Sequence, residues 1–213
     1  REPIISELLT IRNLEDNHGF SVRPYEQDDL SSVYSICLKT GDAGQDATGL
    51  IDEKLLGHYY AAPYVHFEPD LCWLLVKQAI PVGYILGTSD SGAFAAWADK
   101  KWWGSLRQLY PLKGENGSWT QQMISLLHEG YRPPSGIKAY PAHLHIDLLL
   151  EGQKQGWGKV LISLLCQELK KMSVAGVHLE VSKGNTNAIG FYKSTGFSVL
   201  KSGSSFIRFG KSL

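Results

Sequence analysis

Cysteine is scarce. There are three in 213 residues, Cys37, Cys72 and Cys166, far apart in apolar contexts and without a CxxC pair. This argues against a disulfide framework and reads as buried thiols in a reducing, cytoplasmic compartment. Long apolar runs are missing as well. The best, Leu71 to Gly87, is interrupted by Lys77, Gln78 and Pro81, so no membrane span is expected. No signal-peptide pattern opens the chain, and the missing initial Met suggests a trimmed or partial chain. Net charge is zero, with 21 Lys+Arg against 21 Asp+Glu, which argues against nucleic acid as a main partner. The seven histidines are scattered, and His143-Leu-His145 brings no third ligand at a zinc-like spacing, so no metal is expected. There is no internal repeat and no low-complexity segment.

What remains is an ordinary globular composition, 43% hydrophobic and 20% charged, long enough for one α/β domain with room for an insertion. The neutral total hides an asymmetry. Residues 1–140 hold 12 Lys/Arg against 17 Asp/Glu, and residues 141–213 hold 9 against 4. A basic C-terminal part suits a polyphosphate cofactor, and an acidic N-terminal part suits a cationic substrate.

The informative stretch runs from His143 to Met172. An apolar strand pattern ends at Leu150, followed by a short turn and Gln153-Lys154-Gln155-Gly156-Trp157-Gly158-Lys159. Then Val160, Leu161, Leu164, Leu165, Leu169 and Met172 recur at spacings of three and four, the mark of an amphipathic helix. Strand, glycine turn and helix have a direct chemical use. The first-turn N–H groups have no partner inside the helix, and the macrodipole adds partial positive charge. Gly156 and Gly158 leave room for a bulky anion, and Lys154 and Lys159 add charge, so a phosphate or pyrophosphate fits there. The alternative is a turn that only lets helix and strand pack closely.

Elsewhere the chain reads as follows. Residues 1–19 are an extension, a short helix (Ile4, Ile5, Leu8, Leu9) and a polar linker from Asn13 to Gly19. Phe20 to Tyr25 alternates like a strand, and Glu26 to Asp29 opens a helix through Leu30, Val33, Ile36 and Cys37. Gly41 to Gly49 is a loop rich in glycine and carboxylates, with Asp42 and Asp46. It lacks the following glutamate of an EF-hand and reads as a substrate-facing loop or a solvated turn. Tyr59 to Tyr64 adds aromatics that line a pocket or pack beneath it. Leu71–Val76 and Ile80–Gly87 read as an antiparallel hairpin. Residues 91–138 read as a helical insertion, with Phe94, Trp97, Leu106 and Leu109 on one face and a second helix from Trp119 to Leu127. Val177–Ser182 is a strand, and Val199-Leu200 and Phe206–Phe209 close the chain.

Two signatures give these parts a common meaning. Gln153-x-x-Gly156-x-Gly158 after a strand is similar to the coenzyme A motif of the GNAT superfamily of N-acetyltransferases. One strand later, Asn185-x-x-Ala188-x-x-Phe191-Tyr192-x-x-x-Gly196-Phe197 is similar to that superfamily's second signature, with Asn185 a good helix N-cap type. Gly41 to Thr48, His58 to Tyr64, Gly83 to Asp90 and the Trp102-Trp103 pair further resemble the acetyltransferase-like domain at the C-terminus of O-GlcNAc hydrolases and its stand-alone bacterial relatives. In the animal hydrolases the coenzyme A signature has eroded. Here it is intact.

The resemblance implies an α/β (α+β) GNAT domain over residues 20–213. Its mixed central sheet has about six or seven strands flanked by helices, with the insertion between the third and fourth. It implies an acetyl-CoA-dependent N-acetyltransferase that moves acetyl by direct attack of an amine, on a small molecule or a lysine. A module that binds cofactor or protein without chemistry is the alternative. The central strand and the one at Val177 should splay, and the cofactor should bond to backbone at Leu148, Leu149 and Leu150. Family members often carry proline at the position of Leu150. The pyrophosphate should sit on amides from Lys154 to Lys159, with Gln153, Gln155, Trp157, Asn185, Ala188 and Tyr192 also at the cofactor. A backbone N–H near Leu148 would polarise the thioester carbonyl. Tyr192 matches the tyrosine that protonates the departing thiolate, or else packs over the cofactor helix. The proton acceptor is open among His143, His145 and Asp147, which a regular strand places on one face. His143-Leu-His145 resembles the histidine pair of arylalkylamine N-acetyltransferases, one residue out of register unless a bulge intervenes. Asp42, Asp46, Tyr60, Asp90, Trp102 and Trp103 are the candidate acceptor-binding residues.

Overall fold

The computed structural model describes residues 14–15, 19–112 and 117–213. The N-terminal helix expected at Ile4 to Leu9 lies outside them. The supposed linker from Asn13 to Gly19 is in part a strand: β1 (Leu14–Glu15) pairs antiparallel with β2 (Phe20–Pro24). Alternation in β2 buries Phe20 and Val22, while Arg23 on the other face reaches forward to Asp29 at 2.6 and 2.7 Å. Asp29 also accepts the Glu26 N–H at 2.8 Å, so one carboxylate ties the strand to the start of α1 (Leu30–Lys39).

α2 (Leu55–Tyr60) and α3 (Ala62–Phe67), which the sequence pattern does not announce, lead into β3 (Cys72–Lys77). β3 and β4 (Ile80–Thr88) form the expected antiparallel hairpin. Gln78 and Ala79 close it at φ 49° and 68°, a two-residue turn of the kind that matches strand twist but here has no glycine or asparagine. The insertion folds as α4 (Ser91–Lys101), α5 (Trp103–Leu109) and α6 (Trp119–Glu129). Leu109, read as part of its buried face, is 64% exposed because α5 ends there.

The remainder is β5 (Ala142–Leu148), α7 (Trp157–Lys171), β6 (Gly176–Ser182), α8 (Thr186–Ser194), β7 (Ser198–Ser202) and β8 (Phe206–Ser212). The sheet order is β1-β2-β3-β4-β5-β6-β8-β7, seven strands of five residues or more plus the short β1. Every neighbouring pair is antiparallel except β5–β6, so the sheet is mixed as expected.

Two cores flank the sheet. On one face α1 to α6 bury Val33, Leu55, Tyr64, Phe94, Trp103 and Leu127 against Leu74, Tyr84 and Leu86. On the other, α7 buries Leu161, Leu165 and Leu169 completely against Ala142, Leu144, Val177 and Leu179. Each fully buried leucine contributes about 1.5–3 kcal/mol, which holds α7 on the sheet despite its uncapped start. Met172, read as part of the same stripe, is instead the residue after the helix and is half exposed. Cys37, Cys72 and Cys166 are buried and free. Among the described residues no helix is long and apolar enough to cross a membrane.

Candidate active site

The site starts where a ladder stops. β5 and β6 run side by side, but only Ala142↔Val177 and His143↔His178 pair. Beyond them the parallel strands diverge. On its other edge β5 stays in unbroken register with β4, from Thr88↔His143 to Gly83↔Leu148, and the Leu149 N–H continues it to Val82 O at 2.8 Å. Backbone groups of a strand alternate between its two edges, so the N–H of Leu148, like that of Ile146, turns toward the side from which β6 has departed. This ladder has no bulge in β5. The one-residue offset of His143-Leu-His145 from the arylalkylamine pattern therefore stands.

β5 ends at Leu148, two residues before the strand end read from the sequence. Leu150 lies in a single 3-10 turn with Glu151 and Gly152 and is 86% exposed. It therefore lies beyond the end of the strand, whereas Leu148 is still part of β5. Gln153 closes the corner, donating from Nε2 to Leu148 O at 2.7 Å.

The turn into α7 then leaves a run of open donors. Lys154 and Gly156 adopt φ 59° and 88°, and Gly156 is the N-cap with no side chain to cap the helix. The N–H groups of Lys154, Gln155, Gly156, Trp157 and Gly158 have no acceptor among the described residues; the Lys159 N–H bonds Gly156 O at 2.9 Å. Lys154 and Lys159 are exposed beside them. Each glycine also has a local reason. A Cβ at Gly156 would meet nothing within 4 Å, so the positive φ requires glycine there. A Cβ at Gly158 would stand 3.0 Å from Phe191 Cζ, so that glycine lets α7 and α8 approach. The Trp157 ring is turned away from the amides, 8% exposed and stacked on Phe20 at 6.1 Å. Gln155 is exposed and donates to Glu151 O, outside the splay.

A cleft of about 290 Å³ opens against the same divergence. His145 and Asp147 of β5, Glu180 and Ser182 of β6, and Asn185, Ala188 and Tyr192 of α8 line it. Cys37 of α1, Thr40, Gly41, Ala43 and Gly44 after it, Tyr60 of α2, and Trp119 and Met123 of α6 also line it. His143, His145 and Asp147 do share one face of β5, the face toward α1–α4. Asp147 accepts the Tyr84 Oη–H at 2.6 Å, and burial pushes its carboxyl up to about 6 against that hydrogen bond. Burial, and then His178, hold His145 down at about 4. His143 is buried between Tyr64 and Ser91, each 2.7 Å away, and burial drives it well below the ordinary histidine range. The Tyr192 hydroxyl makes no hydrogen bond to the described residues; burial, and then the Asp147 charge, raise its pKa. Asn185 caps α8 by accepting the Ala188 N–H at 3.0 Å.

Several acceptor candidates are elsewhere. Asp42 and Asp46 are exposed; Asp46 accepts the Thr48 N–H at 2.8 Å, and only Gly41, Ala43 and Gly44 of that loop face the cleft. Asp90 caps α4, accepting from Gly92 and Ala93 at 2.7 and 2.8 Å. Trp102 donates to His58 O at 2.9 Å and stacks on Trp97, and Trp103 is wholly buried against Tyr59. Both tryptophans are core. Of the six, Tyr60 alone lines the cleft. Sequence reasoning overlooked Thr40, Trp119, Met123, Glu180 and Ser182. Glu180 sits in a strand already read as such; it is bound by Arg208 at 2.6 and 2.8 Å.

A mixed sheet with its one parallel pair splayed, an open amide run at the next helix and a cleft between them is the arrangement of the acetyltransferase fold class. The pattern of the Acetyltransferase (GNAT) family matches residues 136–197, which contain the splayed β5–β6 pair and the amide run. The crystal structure of SsHAT is 37% identical and superposes with a TM-score of 0.85, covering 91% of this chain and 98% of that one. The chain belongs to the GNAT acetyltransferase family. It is also 25% identical over 186 residues to Protein O-GlcNAcase of Rattus norvegicus, covering 83% of this chain and spanning only 20% of that relative's length. The fold is shared with the PaiA N-acetyltransferase from Thermoplasma acidophilum, solved in complex with coenzyme A, at 14% identity and a TM-score of 0.57 over 91% of this chain and 99% of that one.

Proposed function

We propose that this protein transfers acetyl from acetyl-CoA to an amine, on a small molecule or a lysine side chain, by direct attack within the cleft. One observation carries the reading: five consecutive N–H groups without an acceptor among the described residues, at a helix start flanked by Lys154 and Lys159, next to the β5–β6 divergence. Such donors suit a diphosphate, and the divergence suits an extended arm that must pair with strand backbone. The residues present therefore fit the coenzyme.

When bound, acetyl-CoA supplies an acetyl group activated as a thioester. The amides from Lys154 to Gly158 would hold its diphosphate, and the Leu148 N–H would donate to the acyl oxygen. An alkylamine with a pKa near 10.4 is almost wholly ammonium at neutral pH and must lose a proton before attacking. Asp147 takes that proton: it lines the cleft, and with a pKa of about 6 it is ionised at neutral pH yet more basic than an exposed carboxylate. Tyr192 would supply the proton that a thiolate leaving group needs; burial keeps the phenol protonated. Trp119 and Met123 form an apolar wall on the acceptor side. The buried free thiols support a reducing, cytoplasmic setting.

Calorimetric titration with acetyl-CoA tests the first step, and thiol release with a panel of amines tests the second. Micromolar or tighter binding with turnover supports the enzyme, and binding without turnover leaves a non-catalytic module. Gly156→Glu puts bulk and negative charge among the amides and should abolish binding; surviving affinity would show that the coenzyme sits elsewhere.

A further inference from the structure

Behind His145 runs a buried chain of polar groups whose proton positions can be worked out by counting donors. Ser91 Oγ is 2.6 Å from Pro141 O, which can only accept, so the one hydroxyl hydrogen of Ser91 is committed to it. His143 Nδ1, 2.7 Å from the same oxygen, must then donate to Ser91. His143 stays neutral, because it is buried and no anion among the described residues faces it: its neighbours are Tyr64, Ser91, Phe94, Tyr131, His145 and His178. A neutral ring carrying its proton on Nδ1 has a lone pair on Nε2, and Tyr64 Oη at 2.7 Å must donate there. With its own hydrogen used, the Tyr64 oxygen can only accept from its second partner, His145 Nε2 at 3.1 Å. His145 therefore carries its proton on Nε2 and a lone pair on Nδ1. That atom has no hydrogen-bond partner among the described residues, and the His145 ring lines the cleft.

We propose that Ser91, His143 and Tyr64 are positioning residues that lock His145 in the Nε2–H tautomer, so that its Nδ1 accepts a hydrogen bond from the nucleophile in the cleft. This assignment rests on the acetyltransferase reading for the identity of the nucleophile, an amine, and on hydrogen-bond geometry alone for the tautomer. His145 and Asp147 are two apart on one strand face. They receive two N–H bonds of one nitrogen, its lone pair remaining free for the acyl carbon. Tyr64 touches neither amine nor coenzyme; it acts by holding the ring and leaving it a single protonation site.

Long-range proton–nitrogen NMR correlation on protein labelled with nitrogen-15 in histidine reads each tautomer directly, with signals assigned from His143→Gln and His145→Gln. The expected result is Nδ1–H for His143 and Nε2–H for His145; His145 protonated on Nδ1 overturns the relay, whatever the protein's activity. Tyr64→Phe should convert His145 to a mixture of tautomers, raise KM for the amine and lower kcat/KM roughly tenfold, with acetyl-CoA affinity unchanged. Ser91→Ala, a smaller change at the far end of the chain, should move the same signals and kinetics in the same direction. Variants that relax His145 yet keep wild-type kcat/KM would overturn the positioning role. A wild-type protein that transfers no acetyl group would overturn the enzymatic reading and the amine contact with it, while the NMR result still decides the tautomers.

Discussion

Asp147 shows how a strand position becomes a chemical group. Its place on the His143–His145 face followed from alternation alone, but its pKa of about 6 comes from burial against the Tyr84 hydroxyl. The sign of the pH effect is set by its role. A proton acceptor must be ionised, so kcat/KM should fall as pH drops through about 6, with Cys37, Tyr60, Glu180, His145 and Tyr192 the other titratable groups around the cleft. Asp147→Asn should lower kcat roughly 100- to 10,000-fold and remove that acidic limb from the pH–rate profile. Tyr192→Phe tests the other end of the reaction. Turnover should fall roughly 100-fold while acetyl-CoA affinity holds, and unchanged turnover would take Tyr192 out of the acid role. The acceptor candidates show the limit of residue-level reading. Asp46, Asp90 and the Trp102-Trp103 pair were chosen for chemical type, and type does not say which way a side chain turns. Two of these carboxylates satisfy backbone N–H groups and the indoles fill a core.

Among the elements, α4 and α7 begin in opposite ways. Asp90 satisfies two N–H groups at the start of α4, and Asp90→Ala should cost about 1 kcal/mol in denaturant unfolding without altering acetyl-CoA binding. α7 has no cap, and its Gly156 is held at φ 88° with open space around it. Gly156→Ala should therefore destabilise by about 1–2 kcal/mol from backbone strain and weaken coenzyme binding, because the turn that aims the amides relaxes. Both helices, the hairpin and the Asn185 cap were legible, since periodicity and capping are local. The short α2 and α3 were not: each is six residues whose helical form depends on packing, α2 against α1 and α6, α3 against β4, α1 and α4.

For the molecule as a whole, the proposed function depends on the one place where neighbouring strands part. If the coenzyme bridges the β5–β6 gap and grips α7, it should stabilise the native state. At a hundredfold excess over Kd the gain is about 2.7 kcal/mol, a rise in Tm of roughly 5–10 °C for a chain of this size. Scanning calorimetry with and without acetyl-CoA measures it; Gly156→Glu should show no shift. Added salt should shrink the rise in the wild type, because full charges on Lys154 and Lys159 assist the amides.

The longer strands and helices, the position of the glycine turn before α7 and the shared face of His143, His145 and Asp147 were written in the chain, because each depends on spacing within a few residues; β1, α2 and α3 were not. Where β5 parts from β6, which loop residues reach the cleft, and how Ser91, Tyr64 and Tyr84 hold the β5 side chains were decided only by folding. Those contacts join residues up to 81 apart, and no local pattern records the direction of a side chain toward a partner that distant.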